Sequence, residues 1–215
     1  MIDKQPLAIY GAGGLGRELS AWIRHQPGYT FIGFIDDFVS AQTKVGRETV
    51  LGGLDAVGRL AGEGVLNVVV AIGDPIVKAE ICADLAKYPI AFPTMIHPSV
   101  IMDDRDSVAI GEGTVITAGC VLTTDIVLGR HVLINLNTTV GHDTQVGDYA
   151  SIMPGAQISG RVNIGERVLI GTGSCLLNDV SIGMESKIGA GAVVTHDIPP
   201  QCTAVGIPAK PLPSS

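Results

Sequence analysis

A six-residue repeat of aliphatic side chains runs through the second half of the chain. From Ile110 to Val194 every sixth residue is Ile, Leu or Val, fifteen times in succession. A helix has a period near 3.6 residues and a single strand has a period of 2, so neither explains a strict period of six. Short hexapeptide repeats are typical of a parallel β-helix, in which each unit forms one short strand and one corner. Three units close one turn, so the fifteen units predict five turns, and a first irregular turn is expected to start near His97.

A second position of the repeat is also restricted. The residue four positions after each aliphatic is always small or β-branched. Both positions are predicted to point into the coil, where an aliphatic stacks on its equivalent one turn later. Glycine follows the aliphatic in eight of the units, and we expect the chain to bend there, where a side chain would be crowded. One predicted inward column contains Ile110, Leu128, Val146, Ile164 and Ile182.

Strand and helix patterns alternate ahead of the repeat. Buried strands are predicted at 7–10, 31–35 and 68–72, and helices at 15–25, 54–61 and 75–86. This alternation predicts a small parallel sheet. The fold class is therefore an α/β N-terminal domain of the Rossmann-like kind at 1–92, followed by an all-β parallel β-helix at 93–215 that ends in a tail.

A glycine loop follows the first predicted strand. The motif is Gly11-x-Gly13-x-x-Gly16, and Asp36 lies twenty residues beyond the last glycine. Such glycines let a phosphate approach backbone N–H groups at a helix N-terminus. Only three strands precede the repeat, half of a full dinucleotide domain, so a single nucleotide fits better than a nicotinamide cofactor. A tight turn that binds no ligand is the alternative.

Composition excludes several classes of partner. The net charge of −7 argues against binding to nucleic acid. No stretch approaches 18 consecutive apolar residues, and the N-terminus lacks a basic region followed by an apolar run. We therefore expect a cytoplasmic protein without membrane insertion. No cluster of metal ligands is predicted, since metal or redox spacing is missing from the four cysteines, Cys82, Cys120, Cys175 and Cys202.

One histidine has a setting that suits catalysis. His142 lies at a corner of the middle coil and is followed by Asp143. An imidazole can take a proton from an attacking amine or hydroxyl, and a nearby carboxylate raises its basicity and fixes its tautomer. A solvated surface pair is the alternative. His131 is predicted to be a solvated corner residue, and His196 to form a surface pair with Asp197.

Taken together, these motifs resemble hexapeptide-repeat sugar acetyltransferases of the sialic-acid O-acetyltransferase and bacillosamine N-acetyltransferase type, the PglD/NeuD-like family. The resemblance implies a left-handed parallel β-helix, a homotrimer, and acetyl transfer from acetyl-CoA to the amino group of a nucleotide-linked sugar. It covers nearly the whole chain through the glycine loop, Phe34-Ile35-Asp36-Asp37, Ala71-Ile72-Gly73, Ile96-His97-Pro98-Ser99, Gly141-His142-Asp143 and Gly206-Ile207-Pro208-Ala209-Lys210.

The resemblance also implies site residues. His142 corresponds to the general base and Asp143 to its acidic helper. Implied contacts to the nucleotide-linked sugar are Gly13, Gly14, Leu15 (where relatives carry a histidine), Asp36, Asp37 and Gly73. Implied contacts to acetyl-CoA are Ser151 (in the place of a second family histidine), Gly160, Thr172, Ala190, Lys187 and Lys210.

Three other functions remain open at this point. An O-acetyltransferase would differ only in accepting acetyl on a sugar hydroxyl. A β-helical binding protein without catalysis would not need both His142-Asp143 and the glycine loop. A metalloenzyme like the γ-carbonic anhydrases shares the hexapeptide coil but needs three convergent histidines, and no third one lies near His131 and His142 in the repeat.

Overall fold

The chain forms two compact units. The computed structural model describes residues 4–62 and 66–212. One unit contains the described residues up to Gly73 together with Val77–Pro93, and the other contains Asp74–Ile76 and the described chain from Thr94 onward. None of the helices in residues 4–62 and 66–212 is long and apolar enough to cross a membrane.

A four-stranded parallel sheet with helices forms the first unit, in the strand order β2-β1-β5-β6. The predicted three strands and three helices are confirmed. The two-residue strands were not predicted, because they are too short to show a periodic pattern. The elements are β1 (Gln5–Tyr10), α1 (Gly14–Ile23), β2 (Tyr29–Ile35), the hairpin strands β3 (Lys44–Val45) and β4 (Glu48–Thr49), α2 (Leu54–Ala61), β5 (Leu66–Val70), α3 (Pro75–Leu85) and β6 (Ile90–Ala91).

The central strands explain the aliphatic runs of the sequence. Strand β5 is buried along its whole length, and Leu7 and Ile9 of β1 have no exposed surface. A strand in the middle of a parallel sheet is covered on both faces and therefore reads as a continuous apolar run. The carboxyl ends of three strands lie side by side, since Gly11 N donates to Ile35 O and Ala71 N donates to Tyr10 O, both at 2.8 Å.

The second unit is a parallel β-helix of about six turns, made of strands of two to four residues. A 3-10 helix at Arg105–Ser107 lies in its first turn. The strands are β7 (Met95–Ile96), β8 (Ile101–Met102), β9 (Val108–Ile110), β10 (Val115–Ile116), β11 (Val121–Leu122), β12 (Ile126–Leu128), β13 (Leu133–Ile134), β14 (Thr139–Val140), β15 (Gln145–Val146), β16 (Ser151–Ile152), β17 (Gln157–Ile158), β18 (Asn163–Ile164), β19 (Leu169–Ile170), β20 (Cys175–Leu176), β21 (Ser181–Ile182), β22 (Lys187–Ile188), β23 (Val193–Val194), β24 (Thr203–Gly206) and β25 (Ala209–Pro211).

These strands form the three predicted faces. The first face contains β7, β10, β13, β16, β19 and β22, and the terminal hairpin β24–β25 extends it. The second contains β8, β11, β14, β17, β20 and β23, and the third contains β9, β12, β15, β18 and β21. Equivalent strands of successive turns pair in register, and the predicted column from Ile110 to Ile182 is confirmed.

The β-helix has one turn more than the five that the strict repeat predicts, and this extra turn is the irregular one expected near His97. The β-helix begins at Met95, whose strand pairs with Val115. Met102 and Ile110, the aliphatic ends of β8 and β9, are eight residues apart because the 3-10 helix lies between these strands. This interruption hides the first turn from a search for a strict period of six.

Both inward positions of the repeat fill the core. Of the fifteen aliphatic residues, fourteen are at most 3% exposed, and Ile110 is half-buried. The residues four positions later, from Thr114 to Ala192, are at most 4% exposed. The prediction that both sets point inward is confirmed.

The bend lies two residues later than predicted. At fourteen successive corners the residue three positions after the aliphatic has a φ between 52° and 75°, and nine of these residues are not glycine. The glycine that directly follows an aliphatic is needed for close approach of the next coil instead. A Cβ on Gly171, for example, would lie 2.5 Å from the carbonyl oxygen of Ile188.

The inward and outward residues of one strand give a matched stability test. Ile164→Ala removes a side chain that is 1% exposed and pairs in register with Val146 and Ile182. We expect the free energy of unfolding to fall by about 2–5 kcal/mol, because a cavity remains in a close-packed core. Asn163→Ala changes the exposed neighbour in the same strand and should alter it by less than about 0.5 kcal/mol. Denaturant unfolding of both variants measures the difference. Equal losses of unfolding free energy would contradict the alternation of inward and outward side chains along the strand.

Candidate active site

Successive turns of the β-helix place corner residues in columns. We call the column between the second and third faces the histidine corner. Its turns are fixed on one another by backbone hydrogen bonds, since Asp143 N donates to Thr124 O at 3.2 Å and Arg161 N donates to His142 O at 2.7 Å. The histidine corner comprises residues 123–125, 141–143, 159–161, 177–179 and 195–197.

His142 and Asp143 form a hydrogen-bonded pair at this corner. Nδ1 of His142 lies 2.7 Å from Oδ2 of Asp143. A hydrogen bond to a carboxylate requires the proton on Nδ1, which leaves the lone pair on Nε2. The two side chains are 45% and 55% exposed, so a substrate can reach the ring from solvent. The left-handed backbone of Asp143, with a φ of 57°, allows these adjacent side chains to meet.

The ring of His142 lies over Gly160, the equivalent position on the next coil. A Cβ on Gly160 would lie 2.4 Å from Nε2 and 2.5 Å from Cε1 of the ring. Any side chain there would displace the imidazole. The structure thus brings together three predicted residues, His142, Asp143 and Gly160. The steric role of Gly160 was not predicted, although a glycine three repeat units after the candidate base was a visible signal.

Arg161 and Asp179 form an ion pair on the two coils that follow His142. Nε and Nη2 of Arg161 donate to the two carboxylate oxygens of Asp179 at 2.5 and 2.9 Å. These hydrogen bonds hold the pKa of Asp179 below its usual range, and the charge of His142 acts in the same direction. The same bonds raise the pKa of Arg161, with a further contribution from Asp143. Sequence reasoning missed this pair, because only the coil register brings the two side chains together.

The second histidine of this corner is bonded differently. Nδ1 of His196 lies 2.8 Å from the hydroxyl of Thr195, and the Asp197 carboxylate accepts from the N–H of Ser181 at 2.8 Å. The prediction that His196 and Asp197 form a surface pair was wrong. The chain leaves the repeat after Val194, and Asp197 does not have the left-handed backbone that Asp143 has.

His131 is buried rather than solvated as predicted. It is 6% exposed, and its ring stacks on Tyr149 with centroids 5.3 Å apart and planes 4° apart. The coil period places this aromatic ring one turn after the histidine. On the preceding coil Gly113 leaves room, since a Cβ there would lie 2.3 Å from Nδ1 of His131.

Thr172 and Ala190, two predicted contacts to acetyl-CoA, lie on another corner. Both are exposed between the first and second faces, on successive coils. The N–H of Gly191 donates to the carbonyl of Thr172 at 2.8 Å, so the two turns are stacked. The structure therefore brings these two residues together, but on a different column from His142.

The other predicted contacts to acetyl-CoA are spread over the first face. Nζ of Lys187, in β22, lies 3.9 Å from the carboxylate of Asp74, and Lys210 is exposed in β25. Ser151, in β16, has no exposed surface. A fully buried hydroxyl cannot touch a bound ligand in this structure, which argues against the predicted contact at Ser151.

The glycine loop between β1 and α1 contains two kinds of glycine. Gly11 has a φ of 103°, and a Cβ on Gly16 would lie 1.9 Å from the carbonyl oxygen of Gly11, so the protein's own packing requires both. A Cβ on Gly13 or Gly14 meets no atom within 4 Å. Both are exposed at the N-terminus of α1, where backbone N–H groups point out of the helix. This open space can admit a phosphate.

Asp36 and Asp37 follow β2 beside this loop and bind groups of the protein itself. Asp36 accepts from Ala12 N at 2.8 Å and from backbone N–H groups of its own turn. Asp37 accepts from the hydroxyl of Tyr10 and, at 2.7 Å, from the N–H of Leu54 at the start of α2. Burial and this hydroxyl bond raise the pKa of Tyr10. Both carboxylates thus brace the edge of the sheet where a ligand was predicted.

The remaining predicted residues lie at the same edge. Leu15 is half-buried in the first turn of α1, and Gly73 is half-buried in the loop after β5. Within residues 4–62 and 66–212, no group of three or more His, Cys, Asp or Glu residues is placed to hold a metal ion.

Comparisons with known proteins match both units. A profile of the PglD N-terminal domain matches residues 6–85, and a profile of the bacterial transferase hexapeptide, with six repeats, matches residues 161–196. Among known acetyltransferases, the serine acetyltransferase of Bacillus subtilis is 50% identical over 42 residues, 20% of this chain and 19% of that protein. This chain therefore spans less than a third of the length of such curated relatives.

Solved structures match nearly the whole chain. The acetyltransferase domain of PglB from Neisseria gonorrhoeae is 35% identical, with a TM-score of 0.88 over 97% of this chain and 100% of that one. PerB from Caulobacter crescentus, solved in complex with CoA and GDP-perosamine, is 29% identical, with a TM-score of 0.88 over 97% of each chain. The chain therefore belongs to the PglD/NeuD-like family of hexapeptide-repeat sugar acetyltransferases.

Proposed function

We propose that this protein transfers the acetyl group of acetyl-CoA to the amino group of a nucleotide-linked amino sugar, with His142 as general base. The observation that supports this most directly is the 2.7 Å contact between His142 and Asp143 on an exposed corner. The relative from Caulobacter crescentus is a perosamine N-acetyltransferase solved with CoA and GDP-perosamine. That relative favours an amine over a hydroxyl as the acceptor.

The chemistry follows from the geometry of the imidazole. As the acceptor nitrogen attacks the thioester carbonyl, Nε2 of His142 takes the proton that this nitrogen loses. The Nδ1–H remains bonded to Asp143, whose negative charge stabilises the imidazolium. The C–S bond then breaks, and the imidazolium returns the proton to the sulfur of CoA. The products are an amide and a free thiol, without a covalent enzyme intermediate.

Two further groups of residues hold the substrates in this proposal. Backbone groups of Thr172 and Ala190 contact acetyl-CoA, and Lys187 and Lys210 supply positive charge for its phosphates. Gly160 is buried under the His142 ring and contributes by leaving room for that ring. The open N–H groups at Gly13, Gly14 and Leu15 hold the phosphates of the sugar nucleotide, and Asp36, Asp37 and Gly73 border the nucleotide. Ser151 is left out, because it is buried.

We place this reaction in the cytoplasm. All four cysteines are free thiols, and two of them, Cys82 and Cys120, are buried. Free thiols are usual in a reducing compartment. Burial raises the pKa of Cys82 to about 12, so this thiol is inert.

The glycine loop provides a test of nucleotide binding. Gly13→Ala adds a Cβ that meets no protein atom, so the melting temperature should stay within about 2 °C of the wild type. The same Cβ occupies the space proposed for a phosphate, and the KM for the sugar nucleotide should rise about tenfold or more. Gly16→Ala is the contrasting variant and should destabilise the fold. An unchanged KM in folded Gly13→Ala would place the nucleotide elsewhere.

Replacing the proposed base tests the function itself. CoA release is first measured with UDP-, dTDP- and GDP-linked amino sugars and their hydroxyl analogues, which also separates amine from hydroxyl acceptors. With the best acceptor, His142→Ala should lower kcat by roughly 10²–10⁴-fold at nearly unchanged KM, because general-base catalysis is worth that much. Asp143→Asn should cost less, because the base remains.

The chain offers a matched control for this experiment. His196→Ala removes the other histidine of the same corner, which lacks a bonded carboxylate, and should leave kcat unchanged. If His142→Ala kept more than about half of the wild-type kcat, the base would lie elsewhere. Failure of every amino sugar to release CoA would refute the proposed reaction.

We also propose a homotrimer. Several large apolar side chains are exposed on the β-helix, including Ile101 at 56%, Val127 at 49% and Leu177 at 45%. A closed cyclic assembly would bury such side chains and place a groove for CoA between two coils. Light scattering should give about three times the 22.3 kDa of one chain. A mass of 22.3 kDa at the concentration of the assay would contradict the proposal.

A further inference from the structure

A column of charged side chains runs along the histidine corner. On four successive coils, the residue of this corner that has a positive φ is charged, and the last coil adds Asp197. Arg161 is the single cation among them. The four residues, each one coil after the last, are Asp125, Asp143, Arg161 and Asp179.

Arg161 therefore lies between two carboxylates, one on each neighbouring coil. Its backbone N–H donates to the carbonyl of His142 at 2.7 Å, which fixes the residue directly beside the His142 turn. Its side chain turns the other way and binds Asp179 through two hydrogen bonds of 2.5 and 2.9 Å. The charge of Asp143 is still felt at the guanidinium. Asp143 thus has two neighbours that can donate hydrogen bonds to its carboxylate, His142 and Arg161.

The two possible partners of Asp143 are not equivalent. A guanidinium binds a carboxylate through two parallel hydrogen bonds and is always charged, whereas an imidazole offers one hydrogen bond. Arg161, if released from Asp179, would be the stronger partner for Asp143. His142 would then lose the carboxylate that fixes its tautomer and stabilises its protonated form.

We propose that Asp179 is a positioning residue, which holds the Arg161 guanidinium away from Asp143 and so leaves Asp143 bonded to His142. This inference rests on the proposed function, in which His142 is the general base. The Arg161–Asp179 ion pair and the His142–Asp143 hydrogen bond are present in the folded chain alone. Their effect on the titration of His142 can therefore be measured without any substrate.

The charged side chains near His142 on the histidine corner lie on its own coil and on the neighbouring coils. Asp143 lies on its own coil, and Asp125, whose carboxylate accepts from the hydroxyl of Thr124 at 3.0 Å, lies on the coil before. The coil after it brings Gly160, which has no side chain, and Arg161. Asp179 follows one coil further on. A change at Asp179 can therefore act on His142 either directly, through its own charge, or through Arg161.

A double-mutant cycle separates these two routes. The ring protons of His142 are followed by NMR against pH in the substrate-free protein, and His142→Ala assigns the resonance. Asp179→Asn frees Arg161 to bind Asp143, so the titration midpoint of His142 should fall by about half a pH unit or more. Arg161→Gln removes the cation, so the midpoint should rise. In the Arg161→Gln background, adding Asp179→Asn should change the midpoint of His142 little further, because the guanidinium through which Asp179 acts is no longer present.

A matched ion pair serves as the control. Arg167 binds Glu185, on the next coil, at 2.8 Å on the corner between the third and first faces. Glu185→Gln removes the same charge and should leave the midpoint of His142 within about 0.2 unit, since this pair lies on a different corner and contacts neither His142 nor Asp143. With the best acceptor, Asp179→Asn should lower kcat/KM at neutral pH about tenfold, and Arg161→Gln should restore most of it.

Each outcome of the titration decides the proposal. An unchanged midpoint in Asp179→Asn, or an equal fall with and without Arg161, would overturn it. If the midpoints move as expected while no amino sugar is acetylated by the wild type, the proposed function fails and the arrangement of charges stands. If acetylation occurs but the midpoints do not move, the function stands and the role of Asp179 fails.

Discussion

The backbone hydrogen bonds between successive coils are the constraint on which the rest of the β-helix depends. An N–H on one coil donates to a carbonyl on the next, as Val127 does to Thr144 at 3.0 Å and Gly141 to Ile158 at 2.9 Å. Strands of two residues have no stability of their own. They persist because each strand of the inner coils is paired on both sides and because its aliphatic side chain is buried in a continuous column. The 3-10 helix of the first turn interrupts the period of six at a corner, and the strands on both sides of it still pair in register with the next coil.

The same register builds the chemistry of the histidine corner. His142 bonds to its neighbour Asp143, but the space for its ring depends on Gly160, one coil away. The sequence His-Asp occurs again at 196–197, and there the two side chains have other partners. The difference lies in the backbone. At Asp143 the left-handed conformation brings the carboxylate to the ring, and this conformation is imposed by the closed turn. The same His-Asp dipeptide therefore forms a hydrogen-bonded pair at 142–143, where the coil continues on both sides, and not at 196–197, where the repeat ends.

At the edge of the first unit where we propose that the nucleotide binds, some residues hold the glycine loop in shape and others are left open. Gly11 and Gly16 are required by contacts within the protein, and Asp36 fixes the loop by accepting from Ala12. These contacts hold the loop in a shape that leaves Gly13 and Gly14 open. The carboxylates after β2 thus support the shape of the glycine loop. For the nucleotide binding that we propose, a rigid support of this kind would lower the entropic cost, because the ligand would not have to order the loop.

The sequence by itself determined the period of the β-helix, the inward columns and the elements of the parallel sheet. These features depend on the spacing of apolar residues, and the spacing is visible in one dimension. It also singled out His142, Asp143 and the glycine loop, because their residue types restrict the chemistry.

Only the tertiary structure decided that Ser151 and His131 are buried, that the ring of His142 rests on Gly160, and that Arg161 binds Asp179 rather than Asp143. Each of these outcomes depends on which side chains the coil register brings together from one turn to the next, on the rotamers they adopt and on whether another part of the chain covers them. The repeat determines the spacing of the columns. Which partner each polar side chain binds depends on all the groups that the fold brings within reach of it.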